Sequence, residues 1–326
     1  MSDLHLPNPK AVTVQQTVAA LVALHPRAVV ITGDHTNGSL TDVASSSGTA
    51  ARWRTVTASL QPLRDAGIAV LPIAGNHDSY LDWQRRGYAT AFADLEAWAS
   101  PLKITSQHDG ASVARAPFSY SVEIDGVHFS LVHIVAQSLD RGVAHWLADD
   151  LAAAADAKHR IVFGHVPLSS VIRPPNQAFV GKLGEILEHG HVELYVAGHE
   201  HVVWDDDVVL PAGSKLRQIL VGCTSGFYDY APSDVSRHRA SCMRIALTGK
   251  RDPMRCAMPN GGGEFVLARG RKNREIEHYE NSFTLFTVDG DTIRARPMTI
   301  DDQGKPRPFY LDRDLLTIRS GRGSRP

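Results

Sequence analysis

The chain has 326 residues, 43% of them apolar and 21% charged, and 34 basic against 35 acidic residues leave a formal net charge of −1. That is enough apolar mass for a sizeable core, and the charge balance excludes a chain held to nucleic acid by overall attraction. No run of about eighteen apolar residues predicts a membrane span and no basic-then-apolar leader opens the sequence; with three cysteines (Cys223, Cys242, Cys256) there is no disulfide framework, and the expected compartment is the cytoplasm.

Val14, Val18, Leu21 and Val22 recur at helical spacing and lead into the apolar run Ala28–Ile31, closed by Gly33. Trp53, Val56, Leu60 and Leu63 predict a second helix ahead of the run Ile68–Ile73 and Gly75. A third helical stretch is expected over Trp83–Trp98. Phe118–Ile124 and Val127–Ile134 flank Asp125-Gly126, a dipeptide suited to a tight hairpin turn. A helix about Val143, Leu147 and Leu151 precedes a strand over Arg160–Phe163 and Gly164; another about Val180, Leu183 and Leu187 precedes a strand over Val192–Val196 and Gly198. Helix-then-strand units of this kind imply an α/β domain with buried strands.

Beyond Trp204 the character changes. Leu216–Val221 reads as a strand, Phe283–Val288 and Thr292–Met298 as a closing hairpin about Asp289-Gly290, and 312–326 as a polar, mobile tail. Residues 236–274 form a Gly-rich basic stretch with ten Lys or Arg against Asp252 and Glu264; a solvated loop is the first reading, attraction of a nucleotide or nucleic acid the second. Asp205-Asp206-Asp207 reads as a solvated turn, while Trp204, Phe227, Tyr228 and Tyr230 read as packing, with the wall of a base-binding pocket as the alternative. A single domain over 1–311 is expected, with 205–300 as its C-terminal elaboration.

The 16 histidines draw attention because several sit at strand ends. Four buried strands close on a glycine followed by metal-ligand residue types: Gly33-Asp34, Gly75-Asn76-His77-Asp78, Gly164-His165 and Gly198-His199-Glu200-His201; Asp3-Leu4-His5 is a fifth cluster. Ligands gather at the carboxyl ends of strands in open α/β sheets, so the clusters should converge on one rim. Carboxylate, imidazole and amide oxygen without clustered thiolates suit two divalent ions (Mn, Fe or Zn) rather than a Cys-type structural zinc site. A pair about 3.5–4 Å apart needs a bridging carboxylate, for which Asp34 is the choice; such a pair clamps a phosphoryl oxygen and activates a bridging water for phosphoester hydrolysis. His35, beside it, is read as packing ahead of a substrate contact.

These five clusters, in this order over roughly residues 3–201, resemble the motif set of calcineurin-like metallophosphoesterases. The resemblance implies a four-layer αββα sandwich of two mixed sheets flanked by helices. It implies that Asp3, His5, Asp34 and His201 hold one metal ion and that Asp34, Asn76, His165 and His199 hold the other. His77 would protonate the leaving group or steady the phosphate, with Asp78 orienting its imidazole. Gly164-His165-Val166-Pro167 and Gly198-His199-Glu200-His201 look most like the bacterial cyclic-nucleotide phosphodiesterase branch, which the Asp3-Leu4-His5 opening also fits; this implies hydrolysis of a cyclic nucleotide or similar small phosphodiester by a metal-bridging hydroxide. A phosphomonoesterase or nuclease of the family is the alternative among enzymes, and a metal-poor binding or scaffold module the alternative outside them. Family members carry an apolar strand before the first Asp, whereas here Asp3 follows Met1 and Ser2. A truncated or mis-assigned start is therefore expected, with the first central strand missing and Asp3 and His5 on a fraying end.

Overall fold

The structure is a computed structural model that describes residues 1–7, 11–42, 46–108, 118–170, 176–201, 203–225, 241–244, 254–257, 264–267, 281–301, 303–308 and 316–319. Chain order is α1 (Ala11–Leu24), β1 (Ala28–Ile31), α2 (Ser46–Asp65), β2 (Ala69–Pro72), α3 (Asp82–Ala91), α4 (Leu95–Ala99), β3 (Ile104–His108), β4 (Ser119–Ile124), β5 (Val127–Leu131), α5 (Arg141–Ala153), β6 (His159–Phe163), α6 (Gln177–His189), β7 (Leu194–Ala197), β8 (Val203–Val209) and β9 (Lys215–Val221). There follow β10 (Ser241–Arg244), β11 (Met254–Ala257), β12 (Glu264–Leu267), β13 (Phe283–Asp289), β14 (Thr292–Ile300), β15 (Pro306–Pro308) and β16 (Leu316–Arg319). The strands form three hydrogen-bonded sheets, parallel β1–β2, a mixed sheet of order β10-β11-β12-β8-β9-β7-β6-β5-β4-β3, and β13–β16, which make up the two β layers of the expected sandwich.

Three cores stack these elements in four layers. On β1 the alternation of a strand sends Val29 and Ile31 to one face, where they meet Val14, Val18 and Leu21 of α1 and Val56, Leu60 and Leu63 of α2. Ala28 and Val30 turn to the other face, toward a core shared by Leu71 of β2, Ile293 and Ala295 of β14, and Tyr120, Ile161, Leu194 and Ile219 of the large sheet. The far face of the large sheet carries Val162 and Tyr195 against α5 and α6 through Leu147, Leu151, Leu183 and Leu187. Helices therefore cover both outer faces of two stacked β layers. Both Asp-Gly turns form: Asp125 and Gly126 take φ of 54° and 83° between β4 and β5, and β13 pairs β14 through Asp289↔Thr292.

Three expectations fail locally. The helix expected over Trp83–Trp98 is broken in two, because Asp94 starts a new one by accepting the Ala97 backbone N–H at 3.1 Å. Asp205-Asp206-Asp207 lies inside β8, not in a turn; Arg217 on the neighbouring β9 binds Asp205 at 2.7 Å and Asp207 at 3.0 Å, which supplies the partner that strand acids need. Asp3 and His5 are not on a fraying end. The segment Met1–Leu6 runs beside the end of β1, with bonds from Thr32 N to Met1 O (3.0 Å), Asp3 N to Gly33 O (3.0 Å), His5 N to Asp34 O (2.9 Å) and Leu6 N to His35 O (2.9 Å). Thr224 N donates to Ser2 O from the other side, and Leu4 and Leu6 are fully buried. Between β1 and β13 the described residues supply no strand, and a cavity of about 370 Å³ lies there among Leu71, Phe163, Phe283 and Phe286. Most of the basic stretch 236–274, Phe227, Tyr228 and Tyr230, the side chain of Trp204 and most of the 312–326 tail lie outside the described residues.

Candidate metal centre

The carboxyl ends of β1 and β2 in one layer and of β6 and β7 in the other meet across the inter-sheet core, and each passes at once into one of the clusters. Gly33 makes the first turn possible: its φ is +102°, and a Cβ there would run into the His165 ring and come 2.8 Å from Gly75 Cα. Gly33→Ala is accordingly expected to cost about 1–3 kcal/mol or more through overpacking, read by urea unfolding of the metal-free chain. The neighbouring turns are tied to one another by backbone: His77 N donates to Asp34 Oδ1 at 2.8 Å, Gly198 N to His165 O at 3.0 Å, and His199 N to Asp3 Oδ2 at 3.1 Å.

Two groups of ligand atoms result, each within 4.8 Å overall: Asp3, His5, Asp34 and His201 in one, Asp34, His165 and His199 in the other. Asp34 belongs to both. Asn76 joins the second group, its side-chain oxygen lying 2.8 Å from His165 Nε2 and 2.8 Å from His199 Nδ1. All seven predicted ligand residues are thus brought together. Asp3, Asp34 and His165 are almost fully buried. Asp3, His5, Asp34, His199 and His201 hold φ between 47° and 69°, a left-handed backbone that costs a non-glycine residue energy and recurs at functional sites.

The donor set fits divalent cations. His5 Nε2 and His201 Nε2 face each other at 3.1 Å, and Asp3 Oδ1 accepts no hydrogen bond although His201 Nε2 lies 3.1 Å from it. Such crowding of lone pairs in a buried pocket suits a shared cation better than it suits hydrogen bonds. His165 Nδ1 donates to the Thr32 carbonyl at 2.7 Å, an arrangement that fixes the ring and leaves Nε2 turned to the cluster.

Electrostatics of the metal-free cluster follow from burial and from these contacts. Burial alone would raise the Asp34 carboxyl, but His165, then His77 and His5, more than offset it and hold it below the usual carboxylate range. Asp3 is likewise held low against burial, mainly by His201. Burial would lower His165, yet the Asp34 charge outweighs it and lifts the imidazole to about 9; His199, buried and beside His165, drops to about 3. Because His165 is protonated below about pH 9 and a cation must displace that proton, manganese uptake is expected to tighten by about tenfold per pH unit from 6.5 towards 9, as titrations across that window would read. In the metal-free fold the raised value works the other way. It contributes stability below 6.5 that is lost as pH rises through 9.

His77 stands at the rim with its side chain 31% exposed and Nε2 3.9 Å from Asp34 Oδ2. Its imidazole is oriented by the Gly38 carbonyl, to which Nδ1 donates, and not by Asp78 as expected. Asp78 is wholly buried and spends its oxygens elsewhere: on His35 N and Nδ1 (3.0 Å each), Thr36 N (2.9 Å) and Oγ1 (3.0 Å), and Gly75 N (3.0 Å). It locks the Asp34 turn to the Asn76 turn. His35 is fully buried and packs in an aromatic box of Trp53, Tyr88 and Phe92. The Gly38 carbonyl, the His35–Asp78 brace and Tyr80, whose hydroxyl accepts the Asn76 amide N–H, carry no sequence signal of their own.

A family model described as Calcineurin-like phosphoesterase matches residues 1–203. No curated protein matches the chain by sequence. Among solved structures the fold is similar to that of the purple acid phosphatase PPD1 from yellow lupin (Lupinus luteus) seeds, with a TM-score of 0.60 and 12% identity over 98% of this chain and 52% of that one. It is similar also to GAP50, described as the anchor in the inner membrane complex of Plasmodium, with a TM-score of 0.56 and 11% identity over 97% of this chain and 87% of that one. At these identities the likenesses speak for the fold alone, and the chain spans about half the length of the lupin phosphatase.

Proposed function

The chain belongs to the calcineurin-like phosphoesterase family, which implies a metal-dependent phosphoric ester hydrolase, and we propose that it is a dinuclear phosphodiesterase acting on a cyclic nucleotide or similar small phosphodiester. The observation that carries the dinuclear reading is that one carboxylate, Asp34, belongs to both ligand groups. Asp3, His5, Asp34 and His201 would hold one cation and Asp34, Asn76, His165 and His199 the other. Two divalent cations, when bound, supply positive charge against the phosphoryl oxygens and acidify water.

The chain's own groups supply the rest. His77, with Nδ1–H held by the Gly38 carbonyl, keeps Nε2 turned to the mouth of the cluster, within reach of an ester oxygen. As water attacks phosphorus in line, giving up one proton to solvent, the P–O ester bond breaks and the departing alkoxide would take a proton from His77 Nε2. No covalent bond to the protein is required. The Asp78 brace keeps the two turns that carry Asp34, Asn76 and His77 in one register, so the proton donor and the ligands keep their spacing.

The preference for diesters rests on the motif resemblance alone, since a proton donor at His77 would serve the alkoxide of a monoester as well. Among the described residues no helix is long and apolar enough to cross a membrane, and a cytoplasmic setting belongs to this reading through the few cysteines. Its test is a comparison of manganese-loaded protein on bis-nitrophenyl phosphate, mono-nitrophenyl phosphate, single-stranded DNA and a cyclic nucleotide. Faster turnover of the small diesters is expected. Faster turnover of the monoester or the DNA would overturn the diester assignment, and two bound ions without turnover of any ester would overturn the enzyme.

A further inference from the structure

We infer that Tyr80 is a positioning residue for the second cation, its hydroxyl holding the far end of the Asn76 amide so that the side-chain oxygen stays turned into the cluster. The inference rests on the dinuclear reading given above. Asn76 is buried, with its oxygen 2.8 Å from both His165 Nε2 and His199 Nδ1, and its amide nitrogen donates to the Tyr80 hydroxyl. The two ends of a primary amide are nearly alike in shape and opposite in chemistry: the oxygen has lone pairs for a cation and the NH2 group has none. An amide rotated about its last bond would present the wrong end. A partner for the NH2 group therefore matters as much as the ligands facing the oxygen.

The Asn76–Tyr80 hydrogen bond should also strengthen when a cation binds. Ligation draws electron density toward the amide oxygen and makes its N–H a better donor, as in other charge-assisted hydrogen bonds. Loss of the hydroxyl then costs the ion-bound state more than the ion-free one, and the difference appears as affinity. Groups that orient metal ligands in this way are worth about 10- to 100-fold in binding.

Tyr80 makes a second contact that separates cleanly from the first. Its ring stands edge-on to His77, with centroids 5.2 Å apart and planes at 67°. Tyr80→Phe removes the hydroxyl and keeps the ring; Tyr80→Ala removes both. Neither the residue type nor its place two residues after Asp78 suggests the role, which needs the turn that folds Tyr80 back beneath Asn76.

The experiment is a manganese titration of the full chain, followed by counts of bound metal and by electron paramagnetic resonance of the exchange-coupled ion pair. Wild type should fill two positions. In Tyr80→Phe one of the two binding steps is expected to lose about 10- to 100-fold, so that at a concentration saturating wild type the coupled signal gives way to that of an isolated ion. The other step should be unchanged, with circular dichroism matching wild type. Two steps of wild-type affinity in Tyr80→Phe, or an equal loss of both, would overturn the role given to the hydroxyl. Absence of a coupled pair from wild type itself would instead bring down the dinuclear reading on which the inference rests.

Discussion

Asp34→Asn is expected to abolish binding of the ion pair and turnover together. Among the described residues Asp34 is the one carboxylate common to both ligand groups. Asparagine matches it in shape, and its oxygen can still accept the His77 backbone N–H that ties the two turns, so the fold should survive. What disappears is the negative charge between two cations, and an amide offers one ligating oxygen where the carboxylate offers two. Bound manganese should fall from two per chain, and kcat/KM should drop by on the order of 10³-fold. The metal-free variant carries its own signature. Burial lowers His165 and Asp34 outweighs it, so without that charge the imidazole should titrate below its present value of about 9. A variant that keeps two ions and wild-type turnover would refute the bridging role.

His77→Ala should behave in the opposite manner, keeping its metal and losing the chemical step. The residue lies at the rim, its Nδ1 committed to the Gly38 carbonyl and its Nε2 3.9 Å from Asp34. Withdrawing a general acid typically costs about 10²–10⁴-fold. The loss should be nearly complete for alkyl esters, whose alkoxides depart poorly without a proton, and small for nitrophenyl esters, whose leaving groups need none. A plot of rate against leaving-group pKa should therefore be much steeper for the variant than for wild type. Loss of metal in His77→Ala would show that the ring is a ligand and not a proton donor.

Much of this site was legible in the sequence because its elements report themselves locally. A short apolar run closed by a glycine and then by Asp, Asn or His is a strand end with a ligand on it, and parallel strands point such ends the same way. The Asp-Gly hairpins were readable for the same reason, since the turn residues state their own backbone geometry. Partnerships between distant segments were not readable. The family resemblance implied that Asp78 orients the His77 ring, yet the turn points its carboxylate back into His35 and Thr36. Gly38 serves through a backbone carbonyl, which no side-chain pattern records. Asp205 and Asp207 looked like a solvated turn because Arg217, the residue that makes them tolerable in a strand, lies on the next strand over. The break between α3 and α4 was missed because apolar spacing continues through Asp94, where a single capping carboxylate outweighs it.

The left-handed backbone at Asp3, His5, Asp34, His199 and His201 has a practical corollary for anyone wishing to harden this protein against heat. A survey of uncomfortable torsions would nominate these five positions for replacement by glycine, each promising a gain of about 1 kcal/mol. The resulting variants would be inert, and at Asp3 and Asp34 part of that gain would be given back with the lost His199 and His77 N–H bonds. Thermal robustness and activity are opposed here within the same few peptide units, so improvement by selection for melting temperature alone should drift toward a well-folded shell with nothing at its centre.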